Sequence, residues 1–327
     1  MTHVNSGLLL IDKAPGWTSH DAVARTRRLA GTRKVGHAGT LDPMATGLLV
    51  LGVNSSTRLL TYVVGLDKEY FATIRLGSAT STDDAEGEEG PRAPAAAVAG
   101  ITDQAITLGM AGLTGAINQR PSSVSAIKVD GKRAYARVRA GEEVELALRP
   151  VVVSSFELLS RTAVDGYVDL EVRVDCGSGT YIRALARDLG ENLGVGGHLT
   201  VLRRTRIGPF RIADAHVLDA LDATAHLISP TDAATRLLAR LDLTAQQAID
   251  LGHGKSITVS AAPVPAVAVP AGPGPAAPIA AVAPDGRLVG LVEYRGAHVK
   301  SVLNFPFDGP PPAAAPAAPA VDSMPLS

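Results

Sequence analysis

Two segments of the chain concentrate residues able to do chemistry. In Lys34-Val-Gly-His-Ala-Gly-Thr-Leu-Asp-Pro-Met-Ala-Thr-Gly47, three glycines, a histidine, two threonines and an Asp-Pro pair make a loop that enters an apolar run. The proline pushes Asp42 out of the α region, so its carboxylate is presented from extended backbone. An Asp-Pro pair alone is an ordinary turn former. Its setting among special-geometry residues, ahead of a rigid buried strand, points instead to a fixed carboxylate suited to a nucleophile or base, although one carboxylate names no reaction. The second segment, Val174-Asp-Cys-Gly-Ser-Gly-Thr-Tyr-Ile-Arg183, reads as a strand, a Gly-rich bend and a helix start, with Tyr181 and Arg183 in the first turn. A cation there opposes the positive end of the helix dipole unless it meets an anion. Either Arg183 is a surface residue beside an ordinary loop, or it pairs with a carboxylate such as Asp42 and keeps it ionised and aimed. The bend lacks the spacing and the Lys-Ser/Thr ending of a phosphate loop.

The elements that must position these groups follow from periodicity. Residues 7–12, 46–53, 70–76, 149–159 and 167–174 have strand character. Val23, Thr26 and Ala30 follow helical spacing behind a Thr18 or Ser19 cap, with Gly31 ending the helix. From Tyr181 to Leu193, Ile182, Leu185, Ala186 and Leu189 form one apolar stripe. Strands in clusters separated by single helices predict an α+β fold with a mainly antiparallel sheet. Asp285-Gly286 between two β-rich runs predicts a hairpin. A catalytic domain over 1–240 and a small β-rich domain over 241–308 are expected. Prolines crowd 261–278 and 310–327, six in each, which reads as a disordered insertion and a disordered tail over 309–327. The acidic, Ala-rich stretch 83–100 reads as a loop.

Composition excludes several classes. The chain has 327 residues, near the length of two domains. Cys176 is the only cysteine, so no disulfide framework or cysteine-built metal site is possible; it reads as a small core residue. No apolar run reaches the roughly 20 residues of a membrane span, and the start does not read as a signal peptide, so a soluble, cytoplasmic protein is expected. The net charge is −1. Even so, Ala22–Leu41 holds five basic residues and no acid, and Val201–Arg211 holds Arg203, Arg204, Arg206 and Arg211 and no acid.

Gly36-His-Ala-Gly-Thr-Leu-Asp-Pro-Met-Ala-Thr-Gly47 resembles the signature of the TruB family of tRNA pseudouridine synthases. Further blocks of that family follow in order: Asp12-Lys-Ala-Pro-Gly-Trp-Thr-Ser19, Lys68-Glu-Tyr70, Leu76 to Gly87, Arg120 to Lys128, Gly179-Thr-Tyr-Ile-Arg183 and His198 to Thr205. Together they span roughly residues 7–210. The first block departs from the family's usual Lys-Pro-x-Gly by shifting its proline one place. The resemblance implies a pseudouridine-synthase fold, a mainly antiparallel mixed sheet flanked by helices, with a PUA-like C-terminal domain. It implies isomerisation of uridine 55 in the tRNA T-arm, by base flipping and without metal or organic cofactor. Carried over residue by residue, Asp42 is the catalytic aspartate, Arg183 its buried partner, and Asp84 a second acid completing the network. Tyr70 stacks on the target base and His37 holds extruded nucleotides apart. Leu202 lines the uracil pocket, Lys128 contacts the substrate region, and Tyr181 either packs beneath the active site or takes part in catalysis. The expected partner is the tRNA T-stem-loop, bound by a monomer, with the basic clusters on the gripping face; overall neutrality is compatible with this, because acids at 83–89 and elsewhere can lie on the far side. Two other readings remain open: a synthase acting on another RNA, and a non-catalytic RNA-binding or RNA-folding protein.

Overall fold

The computed structural model describes residues 5–122, 128–129, 132–133, 147–259 and 277–306. In chain order the large sheet is built from β1 (Gly7–Lys13), β2 (Val35–His37), β3 (Thr46–Val53), β4 (Lys68–Leu76), β5 (Gly115–Gln119), β6 (Arg149–Val164), β7 (Tyr167–Cys176), β8 (Gly197–Ile207), β9 (Phe210–Arg211) and β10 (His216–Val217). Spatially the order is β10-β1-β3-β8-β4-β7-β6-β5, with β2 added on β3 and β9 on β8. Most neighbours are antiparallel. The pairs β1–β10 and β3–β8 are parallel, which makes the sheet mixed.

Four helices matter for the core: α1 (Ser19–Leu29), α2 (Asp103–Gly112), α3 (Ile182–Asn192) and α4 (Pro230–Leu237). Thr18 caps α1 in a reciprocal capping box with Asp21. Period-two alternation along β4 turns Tyr70, Ala72, Ile74 and Leu76 to one face, where they bury against Leu185, Ala186 and Leu189 of α3. Cys176 is buried in the same core, and that burial pushes its thiol up to about 11. The opposite face carries Phe71 and Val201, both exposed, among ion pairs such as Arg75–Asp169 and Arg173–Glu157.

The C-terminal strands β11 (Arg240–Asp242), β12 (Ile257–Thr258), β13 (Ile279–Val282), β14 (Leu288–Arg295) and β15 (His298–Asn304) form a second sheet in the order β11-β13-β14-β15-β12. The hairpin around Asp285-Gly286 joins β13 to β14. This sheet shares a core with the first: Ala233, Ala234 and Leu237 of α4 pack with Leu8, Leu10 and Leu48 on one side and Leu288, Leu291 and Phe305 on the other.

Several expectations change in detail. β6 runs to Val164, past the expected end at 159, because its antiparallel pairing with β7 continues to Val164↔Tyr167. Tyr181 caps α3 from extended backbone and so precedes its first turn. The stretch 83–100 contains a short helix, Ala95–Ala99. The Ala-Pro insertion falls, but for its last two residues, outside the described residues, and the tail over 309–327 lies wholly outside them.

Gly47 is required by the parallel β3–β8 pairing, in which it faces Arg204. Its φ is +99°, and a Cβ there would lie 2.2 Å from the Arg204 carbonyl oxygen. Gly16 has φ +78° but open space around it. Left-handed strain alone costs about 1–2 kcal/mol, whereas a backbone clash in a sheet belongs to the exceptional losses above about 4 kcal/mol. Urea denaturation is therefore expected to show Gly16→Ala losing about 1–2 kcal/mol and Gly47→Ala losing more than about 4 kcal/mol or failing to fold.

Candidate active site

The loop 38–45 between β2 and β3 carries Asp42, and four side chains or backbone groups from other elements fasten it. Leu41 N–H donates to Ser19 Oγ at 2.9 Å, and that hydroxyl donates back to Leu41 O at 3.1 Å. Gly16 N–H donates to Pro43 O at 2.9 Å, so the turn with the shifted proline docks directly on the loop. Lys13, fully buried, donates from Nζ to Pro43 O at 3.3 Å and to Trp17 O at 2.6 Å. From below, the buried Arg204 guanidinium donates to Gly39 O at 3.1 Å and to Thr40 O at 3.4 Å. Fastened on both sides of Asp42, the loop has little freedom to move the carboxylate.

Arg183 reaches Asp42 from α3. Its Nη2 lies 3.0 Å from Asp42 Oδ2, and its Nη1 lies 3.2 Å from Asp84 Oδ2. Nη1 also donates to Thr82 O at 2.9 Å. The guanidinium and the Asp84 carboxylate are almost wholly buried, while the Asp42 side chain is 38 % exposed. The anion that the helix dipole demanded is thus present twice. Asp84 is itself held: Thr82 Oγ1 donates to its Oδ1 at 2.5 Å, and Glu86 N–H donates to the same oxygen at 3.1 Å. Asp83, just before it, is forced to φ +61° and is fixed by Leu199 N–H and by an ion pair with Arg187.

Asp42 opens onto a cavity of about 240 Å³. Tyr70, Leu202, Tyr181, Ile182 and Val64 supply its aromatic and aliphatic walls, and Lys68, Arg183 and Arg204 its cations. Burial pushes the Tyr70 phenol up, and the Arg204 guanidinium partly opposes this. A clamp from Gln119 sets Tyr181: the amide donates to Tyr181 O at 2.9 Å and accepts from Tyr181 N–H at 2.8 Å.

Of the residues expected at the site, Asp42, Arg183, Tyr70, Tyr181 and Leu202 line the cavity, and Asp84 lies behind Arg183. His37 is outside the cavity lining, half-buried and edge-on to His20 with ring centroids 5.7 Å apart. Burial and the neighbouring His20 lower its pKa below the usual 6.5. The Lys128 side chain lies outside the described residues.

Two charge expectations are corrected. The basic cluster on β8 is not a free phosphate-gripping row. Arg203 pairs with Asp12, Arg206 with Asp67 and Asp175, and Arg204 is buried. Strand alternation sends these side chains to fixed partners on both faces. Nor are the acids of 83–89 remote from the site. Asp84 contacts Arg183, and the carboxylates of Asp84 and Asp42 add to partial burial in raising Glu86. Lys13, Ser19, Lys68, Gln119 and Arg204 were not assigned to the site from the sequence. For Arg204 the signal was available: it stands two residues from Leu202 on a strand and so shares its face.

The fold matches one chain of a Cbf5-Nop10-Gar1 complex with a TM-score of 0.64 and 26 % identity, over 91 % of this chain and 84 % of that one. It also matches a chain of an H/ACA RNP bound to a substrate RNA containing 2'-deoxyuridine, with a TM-score of 0.65 and 24 % identity, over 93 % and 86 % of the two chains. The architecture is that of the pseudouridine synthases. At the level of sequence, the N-terminal domain of the TruB family pseudouridylate synthases matches residues 27–182. The tRNA pseudouridylate synthase B C-terminal domain matches 183–243, and the tRNA pseudouridine synthase II C-terminal region matches 238–306. A tRNA pseudouridine synthase B from Leifsonia xyli is 61 % identical over 308 residues, 94 % of this chain and 99 % of that protein. One from Paenarthrobacter aurescens is 54 % identical over 302 residues, 92 % and 95 % of the two. The chain belongs to the TruB family and is an enzyme of the pseudouridylate synthase class.

Two outcomes follow from the charge network. Removing one member of a buried ion pair costs about 3 kcal/mol or more, whereas a half-exposed partner is worth about 1 kcal/mol or less. In chemical denaturation Asp84→Ala is therefore expected to lose about 3 kcal/mol, and Asp42→Asn no more than about 1 kcal/mol, because Arg183 keeps Asp84. For His37, the unfolded chain binds a proton at a higher pH than the folded one, so its contribution to stability falls as pH drops from about 6.5 towards the folded pKa. The stability difference between the wild-type protein and His37→Gln should accordingly shrink across that window, as read by unfolding at stepped pH.

Proposed function

We propose that this enzyme isomerises a uridine of tRNA to pseudouridine, at position 55 in the T-arm, with Asp42 as the group that acts on the flipped-out nucleotide. What carries the reading is a loop-fixed carboxylate, ion-paired to a buried guanidinium, at the mouth of a cavity walled by Tyr70 and Leu202. The curated relatives bearing the tRNA pseudouridine synthase B name support tRNA as the substrate. A glycosidic bond is out of reach inside a folded loop, so the target base must leave its stack and enter the cavity.

Once there, the base needs a flat partner, and Tyr70 offers a buried ring with a polar tip. Arg183 orients Asp42 and Asp84 orients Arg183, so that the carboxylate meets the sugar or base in one geometry. Opposite the reacting face, Leu202 excludes water from the uracil edge. In this reading His37, outside the cavity lining, keeps the extruded nucleotides apart, and Lys128 contacts the RNA. Arg28, Arg33 and Lys34 of the N-terminal basic cluster are exposed and able to meet phosphates, whose contacts set a salt-dependent affinity. Among the described residues no helix is long and apolar enough to cross a membrane. A monomer working in the cytoplasm completes the reading.

A bare T-stem-loop transcript tests it. Wild-type protein is expected to convert the target uridine, scored by carbodiimide-dependent reverse-transcription stops. Asp42→Asn should abolish conversion, by at least about 10³-fold, while retaining RNA binding in a filter assay. Equal loss of both with the fold intact would favour an RNA-binding module, and conversion of uridines outside the T-arm would favour another RNA.

A further inference from the structure

Two buried cations on the cavity wall are paired with no carboxylate among the described residues. Arg204 is 1 % exposed, the largest of the fully buried side chains, and donates to Leu48 O at 2.8 Å as well as to the carbonyls of Gly39 and Thr40. Lys68 is 6 % exposed and donates from Nζ to Val64 O at 3.1 Å and to Leu66 O at 2.5 Å. On the same strand, Arg203 and Arg206 each hold carboxylates. Among the described residues, neither Arg204 nor Lys68 has a carboxylate oxygen within 4.0 Å. Arg183 is different again, being committed to Asp42 and Asp84.

The two cations converge. A Cβ at Gly39 would lie 3.6 Å from Arg204 Nη1 and 3.9 Å from Lys68 Cε, so both approach one point under the Asp42 loop. Arg204 is also the cross-strand partner of Tyr70, and both cations line the cavity with Tyr70 and Leu202. Carbonyl dipoles satisfy their N–H groups but leave the net charge in place. Burial lowers Lys68 to about 8, with the Arg204 charge as the next cause. Two like charges held this way in a rigid wall are unfavourable for the empty protein and favourable for an anion that enters.

The proposed reaction makes such an anion. When the N1–C1′ bond breaks, its electron pair stays on N1, and the charge spreads over O2 and O4 of the base. The electron-deficient C1′ is satisfied by the Asp42 carboxylate, or by loss of a sugar proton to it. After the base has turned, C5 bonds to C1′ as the Asp42–C1′ bond breaks, or as the sugar proton returns from Asp42; the C5 proton then leaves and N1 takes one up, so that atoms and charge balance. We propose that Arg204 and Lys68 hold the negative charge of the detached base while it turns in the cavity. The inference rests on the isomerase reading and adds to it the groups that make the base a viable leaving group.

The test uses T-stem-loop RNA carrying either uridine or 5-fluorouridine at the target. Fluorine makes the detached base a weaker base that needs less stabilisation. Loss of the parent nucleoside is followed in single turnovers, and RNA affinity is measured separately. Lys68→Met and Arg204→Met are expected to slow uridine conversion by about 10²-fold, the effect of removing one preorganised electrostatic group, with Kd changed by less than about threefold. With 5-fluorouridine the defect should shrink about tenfold, and Arg204→Lys should recover about tenfold over Arg204→Met. Should Arg204→Met fail to fold, because it releases the Asp42 loop, Lys68→Met and Arg204→Lys still decide the matter. Equal defects on both RNAs, or a loss of affinity as large as the loss of rate, would overturn the proposal. Wild-type protein inert on the uridine RNA would overturn the isomerase reading itself.

Discussion

Burying a guanidinium is costly unless its charge is met, and the Arg183 side chain is buried at the start of a helix whose dipole already disfavours it. Two carboxylates resolve the conflict, one from the loop at 42 and one from the turn at 84. The consequence is geometric. Three segments far apart in the chain are brought to one point, and none can move without exposing an unbalanced charge. Asp84, buried and held by Thr82 and the Glu86 N–H, supplies the fixed end. Asp42, partly open to the cavity, is the end left available for chemistry.

The loop that carries Asp42 is held with equal economy. Its backbone would otherwise be a flexible connection between β2 and β3, yet its carbonyl and amide groups are taken by Lys13, Gly16, Ser19 and Arg204. Most of these come from the end of β1 and the start of α1, so the segment 13–19 acts as a brace for the loop. Such bracing suits a site that must hold a side chain within a fraction of an ångström of a reacting atom. It also accounts for Lys13 and Arg204 in the interior of a nearly neutral protein: their N–H groups are satisfied by carbonyls.

The arginine-rich composition therefore has a different explanation from the one it suggests. Arg75, Arg173, Arg203 and Arg206 tile the exposed side of the large sheet with carboxylate partners, a common way of keeping a broad strand surface soluble. The shared core under α4 joins that sheet to the C-terminal one, so the two pack as neighbours with continuous apolar contact.

Much was legible in the residues themselves. Alternation at 70–76 and 167–174, the apolar run at 46–53, the Thr18 cap and the Asp285-Gly286 hairpin are local signals, and local backbone physics suffices to place them. The ordered blocks from Asp12 to Thr205 likewise marked Asp42 and Arg183 as partners, because a first-turn arginine needs an anion. Other features were decided only by the tertiary fold. Which arginines of 203–206 face carboxylates, which one is buried, and where the acids at 83–84 lie depend on the parallel β3–β8 pairing and on the left-handed turn at Asp83. Most of these contacts join residues about a hundred or more positions apart, and no local periodicity encodes them. Charge in a sequence shows how many ions the chain carries; only the packed structure settles which of them are left without a partner.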